Sequence, residues 1–235
     1  MINTNLLSEI RKKVQEFWNG EVKKDYFIQI AQGKEIGHRI ADPVDDKTTG
    51  WLAINYRTVY ERDKDGNKRP RSMGDIWLED NGIYHPVNVK SSVSATNGQP
   101  NLVSLKKLLD SFLLQQIDSY YLLIIKFEIK KTIGCSVYFV DLLDHLDYVT
   151  FDSGPGQIML KSNNFFEAMR ENIQPVKRTI QYKVKKLMAL LEDGERRLVE
   201  NRKRDLKIFR ERFKEYVLND RHIVTPESQK PLNLQ

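Results

Sequence analysis

Three polar side chains in the middle of the chain have the types and spacing for phosphodiester chemistry. Asp75 lies before the Asn-Gly dipeptide at 81–82, a pattern that predicts a tight hairpin turn, and Lys90 lies after it. The side-chain period of two puts Asn88 and Lys90 on one face of the returning strand. Carboxylate and amide oxygens suit a hard cation such as Mg²⁺, and a lysine can orient an attacking water near a phosphate. The hairpin is therefore a candidate active site.

The elements that must position these residues follow from apolar periodicity and turn signals. The pattern predicts helices over 4–18, 25–40 and 101–117, with the second ending near Asp42-Pro43 because proline disfavours helix before it. Predicted strands cover 51–61, 73–79, 83–91, 120–129 and 135–140, followed by a short hairpin at 148–151 and 157–160.

This order predicts an α/β fold, a mixed β-sheet flanked by helices in the order α-β-β-β-α-β, with a helical C-terminal extension. We expect a core with its N-terminal helix over 1–170, a basic helical extension over 171–222 and a tail over 223–235. The sequence leaves open whether Gly194 bends or breaks the extension. Between Val176 and Val217 the chain carries 14 Lys or Arg against 7 Asp or Glu, so the basic charge is local and suits a phosphate-rich partner.

Gly74-Asp75, followed by Pro86-Val87-Asn88-Val89-Lys90, resembles the PD-(D/E)xK nuclease superfamily, and type II restriction endonucleases in particular. The predicted strand order is similar to the α-β-β-β-α-β core of that family over roughly half the chain. The resemblance implies Mg²⁺-dependent cleavage of double-stranded DNA by a homodimer that acts on a short palindrome. It also implies that Asp75 binds the metal, that Asn88 binds it through its amide oxygen or a water, and that Lys90 positions the nucleophile.

Two positions depart from the family pattern. Gly74 replaces a frequent proline, and Asn88 stands where the family has Asp or Glu, so one negative ligand is missing. Glu35 on the second helix is the first candidate to restore the charge balance, and Glu79 is the second. Three alternatives stay open: the neutral ligand suffices, Asn88 is an inactivating substitution, or the protein is a relative that does not cut.

The expected DNA contacts come from two polar regions. The segment from Ser91 to Pro100 is short of apolar residues and is suited to a loop that touches a ligand. The basic extension supplies lysines for backbone phosphates. We expect contacts from Ser91, Ser92, Asn97, Gln99, Lys183 and Lys186.

The remaining reactive residues predict no second site. Cys135, the single cysteine, lies in an apolar run and is expected to be buried and inert. His38, His85, His145 and His222 lack the spacing of a zinc site. No signal-peptide pattern and no apolar run long enough for a bilayer occur, so we expect a cytoplasmic protein without a membrane partner.

Two rival functions fit the same sequence. One is a non-catalytic nucleic-acid-binding protein with the same fold, which has lost the acid at position 88. The other is an interaction protein in which 176–217 forms a coiled coil and its charges serve only solubility. Binding to DNA through many phosphates should weaken steeply with salt, whereas a coiled coil should not respond to DNA.

Overall fold

The structure is a computed structural model, and it describes residues 1–24, 27, 36–67, 69, 72–93, 100–129, 132–175 and 177–218, with backbone only for 36–42 and 216–218. The chain divides into two compact units, Met1–Gly194 and Glu195–Gln235. The first unit contains both sheets and the candidate site. Within the described ranges, no helix is long and apolar enough to cross a membrane.

The helices are α1 (Thr4–Glu21), α2 (Ile36–Asn55), α3 (Leu105–Leu113), α4 (Ser162–Arg170) and α5 (Ile180–Leu218). A 3-10 helix covers Leu142–Tyr148. The strands are β1 (Thr58–Val59), β2 (Ile76–Asp80), β3 (Ile83–Val93), β4 (Asn101–Ser104), β5 (Tyr121–Ile129), β6 (Ile133–Asp141), β7 (Val149–Asp152) and β8 (Gln157–Leu160).

The main sheet has five strands in the order β1-β2-β3-β5-β6, and a smaller sheet has the order β4-β8-β7. Strands β3 and β5 are parallel, while the other pairs of the main sheet are antiparallel. The α3 crossover makes the parallel pairing possible, since parallel neighbours need a long connection. The expected α/β class is confirmed: a mixed sheet is flanked by helices and followed by a long C-terminal helix.

The main sheet separates two hydrophobic cores, because alternate residues of each strand face opposite sides. Val87 and Val89 of β3 pack with Ile10, Val14 and Trp18 of α1 in the first core. The second core joins the opposite face to α3, α4, the smaller sheet and the first turns of α5; its sheet residues include Leu122 and Ile124. Asn88 and Lys90 alternate with the valines, and therefore lie on the face of the second core.

The second helix corrects the sequence prediction most strongly. It continues through Pro43 to Asn55, so the strand predicted over 51–61 is wrong, and only β1 remains of it. Trp18 Nε1 donates a 3.0 Å hydrogen bond to Thr48 Oγ1, and Leu52, one turn later, is buried in the same core. This packing outweighs the β propensity of the segment and the helix-breaking effect of the proline. The part predicted from residue 25 lies mostly outside the described residues.

Two further element predictions need correction. Asn101 begins strand β4 instead of capping a helix, and Ser104 caps α3 by accepting a bond from Lys107 N. Helix α3 therefore begins at Leu105, four residues after the predicted start, and ends at Leu113 instead of residue 117. Helix α4 was not predicted; its buried face includes Phe165. The short hairpin of β7 and β8 is confirmed.

Helix α5 runs without a break through Gly194, which settles the question that the sequence left open. The ring of Phe151 lies against this glycine, and a Cβ there would come within 2.0 Å of Phe151 Cδ1. The absence of a side chain thus allows the helix to approach β7 closely. Gly194 serves packing and does not interrupt the helix.

Candidate active site

The β2–β3 hairpin places the first acid beside the third strand. The Asn-Gly turn at 81–82 has positive φ at both residues, as a type I′ turn requires. The turn fixes a register in which Ile76 pairs with Val87. Asp75 directly precedes this pair and Asn88 directly follows it, so the hairpin brings the two side chains together.

Asp75 lies where β2 separates from β3. A Cβ on Gly74 would come within 2.8 Å of the backbone nitrogen and oxygen of Val87, so glycine permits this close approach. Asp75 lies one residue before β2 begins, and there the backbone N–H of Val89 donates a 2.8 Å hydrogen bond to Asp75 Oδ2. The carboxylate of Asp75 therefore accepts a hydrogen bond from β3 beyond the last β2–β3 pair. This bond fixes the position of the Asp75 side chain. The same geometry explains why glycine occupies position 74.

Lys90 lies between two carboxylates. Its Nζ is 3.7 Å from Asp75 Oδ2 and 3.9 Å from Asp45 Oδ2. The side chains are 21 % (Lys90), 31 % (Asp75) and 20 % (Asp45) exposed, so water reaches all three. Both distances exceed that of a good hydrogen bond, so the ammonium keeps donors for another partner. Because both Oδ2 atoms lie within 3.9 Å of Lys90 Nζ, the three side chains form one cluster.

Asn88 adds a neutral oxygen on β3, opposite Asp75 in the register of the hairpin. The residue is buried, and among the described residues its Oδ1 accepts no hydrogen bond. Among the described residues, the hydroxyl of Tyr120 is also buried without a hydrogen bond of normal geometry, although the nearby amide of Asn88 acts to lower its pKa. Burial, with a smaller contribution from the charge of Asp75, raises the pKa of Tyr120 well above its ordinary value. A buried carbonyl oxygen without a donor is costly and indicates a site for a ligand.

Glu61 holds the segment that leads into Asp75. Its carboxylate accepts bonds from the backbone N–H of Met73 and from Trp77 Nε1, and it binds Lys107 Nζ at 3.2 Å. These bonds attach the approach to β2 to the start of α3. Glu61 is therefore a positioning residue for the acid at 75.

Asp45 is the acid that the sequence analysis did not find. It lies on α2 two residues after Pro43, beyond the predicted end of this helix. The next element expected along the chain was a strand. Glu35, the first candidate for this role, lies outside the described residues. Glu79, the second, is wrong: it lies at the turn end of β2 and pairs with Arg57 at 3.4 Å. The helical spacing of Val44, Thr48 and Leu52 was the signal that α2 continues past Pro43.

The two serines expected to touch DNA directly follow the candidate lysine. Ser91 and Ser92 are half-buried residues of β3. Strand β3 is thus two residues longer than predicted and ends at Val93, inside the expected loop. Asn97 and Gln99 lie outside the described residues.

The two expected lysine contacts differ in their surroundings. Lys183 is buried and binds Asp144 Oδ1 at 2.6 Å and Asp141 Oδ2 at 3.4 Å. Its prediction as a DNA contact is wrong, because its charge is already used inside the protein. Lys186 is half-buried and forms a 3.5 Å pair with the exposed Asp147. Its contact with DNA stays a prediction.

The histidines and the cysteine that the structure describes lie in separate places. His85 contacts Ser119 Oγ at 3.2 Å, and His145 Nδ1 is 2.9 Å from the carbonyl oxygen of Asp141. Burial lowers the pKa of both imidazoles, which favours the neutral form. Cys135 is half-buried, and burial raises its pKa to about 12, so it stays a thiol at neutral pH.

The oxygen donors of the cluster suit a hard divalent cation. Asp45 and Asp75 supply two carboxylates, and Asn88 supplies a carbonyl oxygen for which the described part of the chain offers no donor. Carboxylate and carbonyl oxygens are the ligands of Mg²⁺, which keeps several of its waters. Among the described residues, no three His, Cys, Asp or Glu side chains form a metal-binding group, so the amide is needed to complete a third ligand.

Comparison with protein-family models and with curated proteins finds no match. The resemblance to PD-(D/E)xK nucleases therefore depends on the residues of the hairpin and on the strand order around it.

Proposed function

We propose that the protein is an Mg²⁺-dependent endonuclease that hydrolyses phosphodiester bonds of double-stranded DNA, as a sequence-specific type II restriction enzyme does. One observation carries the proposal: Lys90 lies between the carboxylates of Asp75 and Asp45, two residues along β3 from Asn88, whose amide oxygen has no hydrogen-bond partner among the described residues. Three oxygen donors and one cation on neighbouring elements suit both a metal-bound phosphate and an attacking water.

The side chains divide the work by charge. Asp45, Asp75 and Asn88 would hold the cation, which when bound polarises the phosphate and makes a coordinated water more acidic. Lys90 donates an N–H to the oxygen of the attacking water and offsets negative charge that develops on the phosphate. The water oxygen forms a bond to phosphorus and loses one proton to solvent, while the opposite P–O bond breaks and the leaving oxygen takes one proton from solvent. Glu61 keeps the approach to Asp75 in place.

Cleavage of plasmid DNA tests the proposal. The wild-type protein with Mg²⁺ should convert supercoiled plasmid into discrete linear fragments, while Asp75→Asn should leave the plasmid intact. Asp65→Asn is the matched control, because Asp65 is exposed on the turn before β2 and should retain wild-type cleavage. DNA binding without cleavage by the wild-type protein would favour the non-cutting relative. A smear would keep the nuclease and remove the sequence specificity.

We also propose a homodimer that uses the second unit. Four large apolar side chains of this unit are 47 to 65 % exposed and lie on one helical stripe: Val199, Leu206, Phe209 and Phe213. Such a stripe at spacings of seven, three and four residues is typical of a helix that pairs with another. Sedimentation should show a dimer for the wild-type protein and a monomer for Phe209→Glu. A dimer that binds no DNA would favour the coiled-coil interaction protein.

A further inference from the structure

A second polar site lies on the same face of the main sheet as Lys90. It is a groove of about 430 Å³ between strands β3, β5 and β6 and helix α4. Its polar lining includes Ser92, Lys126, Ser136, Ser162, Asn163 and Arg170. Apart from the expected DNA contact of Ser92, none of the roles described above uses this groove.

The register of the sheet connects the groove to the candidate active site. Ser92 pairs with Lys126, and Lys126 pairs with Ser136, so the three form one row across the sheet. Lys90 lies in a parallel row two residues earlier along β3, about 7 Å away at the usual rise of a strand. Tyr138, on the row of Lys90, also lines the groove. The two sites are therefore neighbours on one surface.

Lys126 supplies the cation at the floor of the groove. Its Nζ lies over the ring of Phe166, 4.6 Å from the centroid, and its side chain is 20 % exposed. Its ion pair with Glu128 is long, at 3.9 Å. Glu128 and Glu167, the two acids of the groove, have side chains 46 % and 62 % exposed and form its rim. Lys126 is thus the least exposed of the four charged side chains that line the groove, while Arg170, 75 % exposed, forms a 3.7 Å pair with Glu167 at the rim.

We propose that this groove binds a backbone phosphate of the DNA strand whose cleaved phosphodiester lies at Lys90. The inference rests on the proposed function and names where the substrate strand continues. Lysine, arginine, serine and asparagine are the side chains that contact phosphates most often, and the groove contains all four. Each DNA strand carries one charge per about 3.4 Å of helix axis, so a strand held at Lys90 has further phosphates within reach of the groove.

The salt dependence of DNA binding tests the groove apart from cleavage. Binding of a fluorescent DNA duplex of mixed sequence is measured in EDTA, which prevents cutting, between about 50 and 200 mM salt. Lys126→Gln should weaken binding and reduce the slope of log K against log salt by about 0.9, because one phosphate contact is lost. Lys126→Arg should keep the wild-type slope. Lys12→Gln is the control, since Lys12 is exposed on α1, which packs on the opposite face of the sheet.

A second variant covers the case in which Lys126→Gln unfolds. Arg170 is 75 % exposed and lines the groove, so Arg170→Gln should fold and should also reduce the slope. An unchanged slope in both variants would overturn the proposal. Weaker binding at an unchanged slope would also overturn it, and would indicate contacts to bases instead. If the slope falls as expected but the wild-type protein cuts no DNA, the nuclease proposal fails and the groove stands. If the wild-type protein binds no DNA, both fail.

Discussion

Lys90 and Lys183 each lie between two aspartates, but the two clusters differ in distance and exposure. Lys183 is 5 % exposed and binds Asp144 at 2.6 Å and Asp141 at 3.4 Å. Lys90 is 21 % exposed, and its two carboxylate distances are 3.7 and 3.9 Å. The first cluster is closed and paired within the protein, whereas the second is open to water.

The two clusters also differ in the number of hydrogen bonds that their oxygen atoms accept. Asp141 Oδ1 accepts from the backbone N–H groups of Tyr120 and Leu143, so its carboxylate stabilises the end of β6 and the helix that follows. In the open cluster, Asn88 Oδ1 has no donor among the described residues. Equal residue types therefore do not identify a ligand site. Longer ion pairs and access for water distinguish the open cluster from the closed one.

Exchange of each lysine for methionine should separate the clusters by stability. Lys183→Met leaves two buried carboxylates without their cation and should lower the free energy of unfolding by about 3–5 kcal/mol. Lys90→Met should lower it by less than about 1 kcal/mol, because the pairs there are long and solvated. Urea denaturation of the three proteins gives both values. Equal losses would mean that the open cluster is as structural as the closed one.

Removal of the helical acid should affect activity and not folding. Asp45→Asn deletes one of two carboxylates beside Lys90 and should raise the Mg²⁺ concentration for half-maximal cleavage by at least about tenfold. Glu35→Gln is the rival substitution and should have a small effect if Asp45 supplies the charge. Cleavage rates against Mg²⁺ concentration compare them directly. A severe loss in Glu35→Gln beside a mild one in Asp45→Asn would assign the role to Glu35.

Replacement of the amide by a carboxylate should make stability depend on Mg²⁺. Asn88→Asp places a third acid beside Asp45 and Asp75, and its burial should lower the free energy of unfolding by about 1–3 kcal/mol in EDTA. Added Mg²⁺ should recover much of this loss, since the cation offsets the repulsion. Thermal unfolding of both proteins with and without Mg²⁺ measures the difference. A loss that Mg²⁺ does not reduce would remove Asn88 from the cation site.

The closed cluster should also make stability depend on pH. Burial raises the pKa of Asp141 from 3.8 to about 6, even though Lys183 opposes the shift. Between these values the folded protein binds more protons than the unfolded chain, so this contribution to stability is full at low pH and is lost as pH rises through about 6. Asp141→Asn removes the titration.

Urea denaturation between about pH 4 and pH 7 compares wild-type protein and Asp141→Asn. The wild-type stability should fall relative to the variant across this range. Asp65→Asn, with an exposed aspartate, should follow the wild-type protein. A constant difference between wild-type protein and Asp141→Asn would show that Asp141 does not titrate there.

Local patterns were enough to predict the hairpin that carries the open cluster. The Asn-Gly turn has the positive φ angles that its residues favour, and it fixes the β2–β3 register without help from distant contacts. The continuous apolar run of β5 is likewise typical of an interior strand, and β5 lies between β3 and β6. Asp75, Asn88 and Lys90 could therefore be brought together from sequence alone.

Tertiary packing determined what the sequence did not reveal. Helix α2 persists through Pro43 because Thr48 and Leu52 pack against α1, and only this continuation presents Asp45 to Lys90. In the sequence, Lys183 does not differ from the other lysines of the basic helix. Its partners are acids about 40 residues earlier in the chain, so its burial cannot be predicted from neighbouring residues. The helical spacing of Val44, Thr48 and Leu52 indicates the continuation of α2, but no periodic pattern near Lys183 indicates its burial.

The central claim is that the open cluster cuts DNA, and the cleavage rate of Lys90→Met tests it most directly. The measurement is the initial rate of plasmid linearisation at saturating Mg²⁺, with DNA binding of the same samples followed in EDTA. The account predicts a loss of about 100-fold or more in rate with nearly unchanged binding, because Lys90 acts on the attacking water. Cleavage by folded Lys90→Met at the wild-type rate would contradict it.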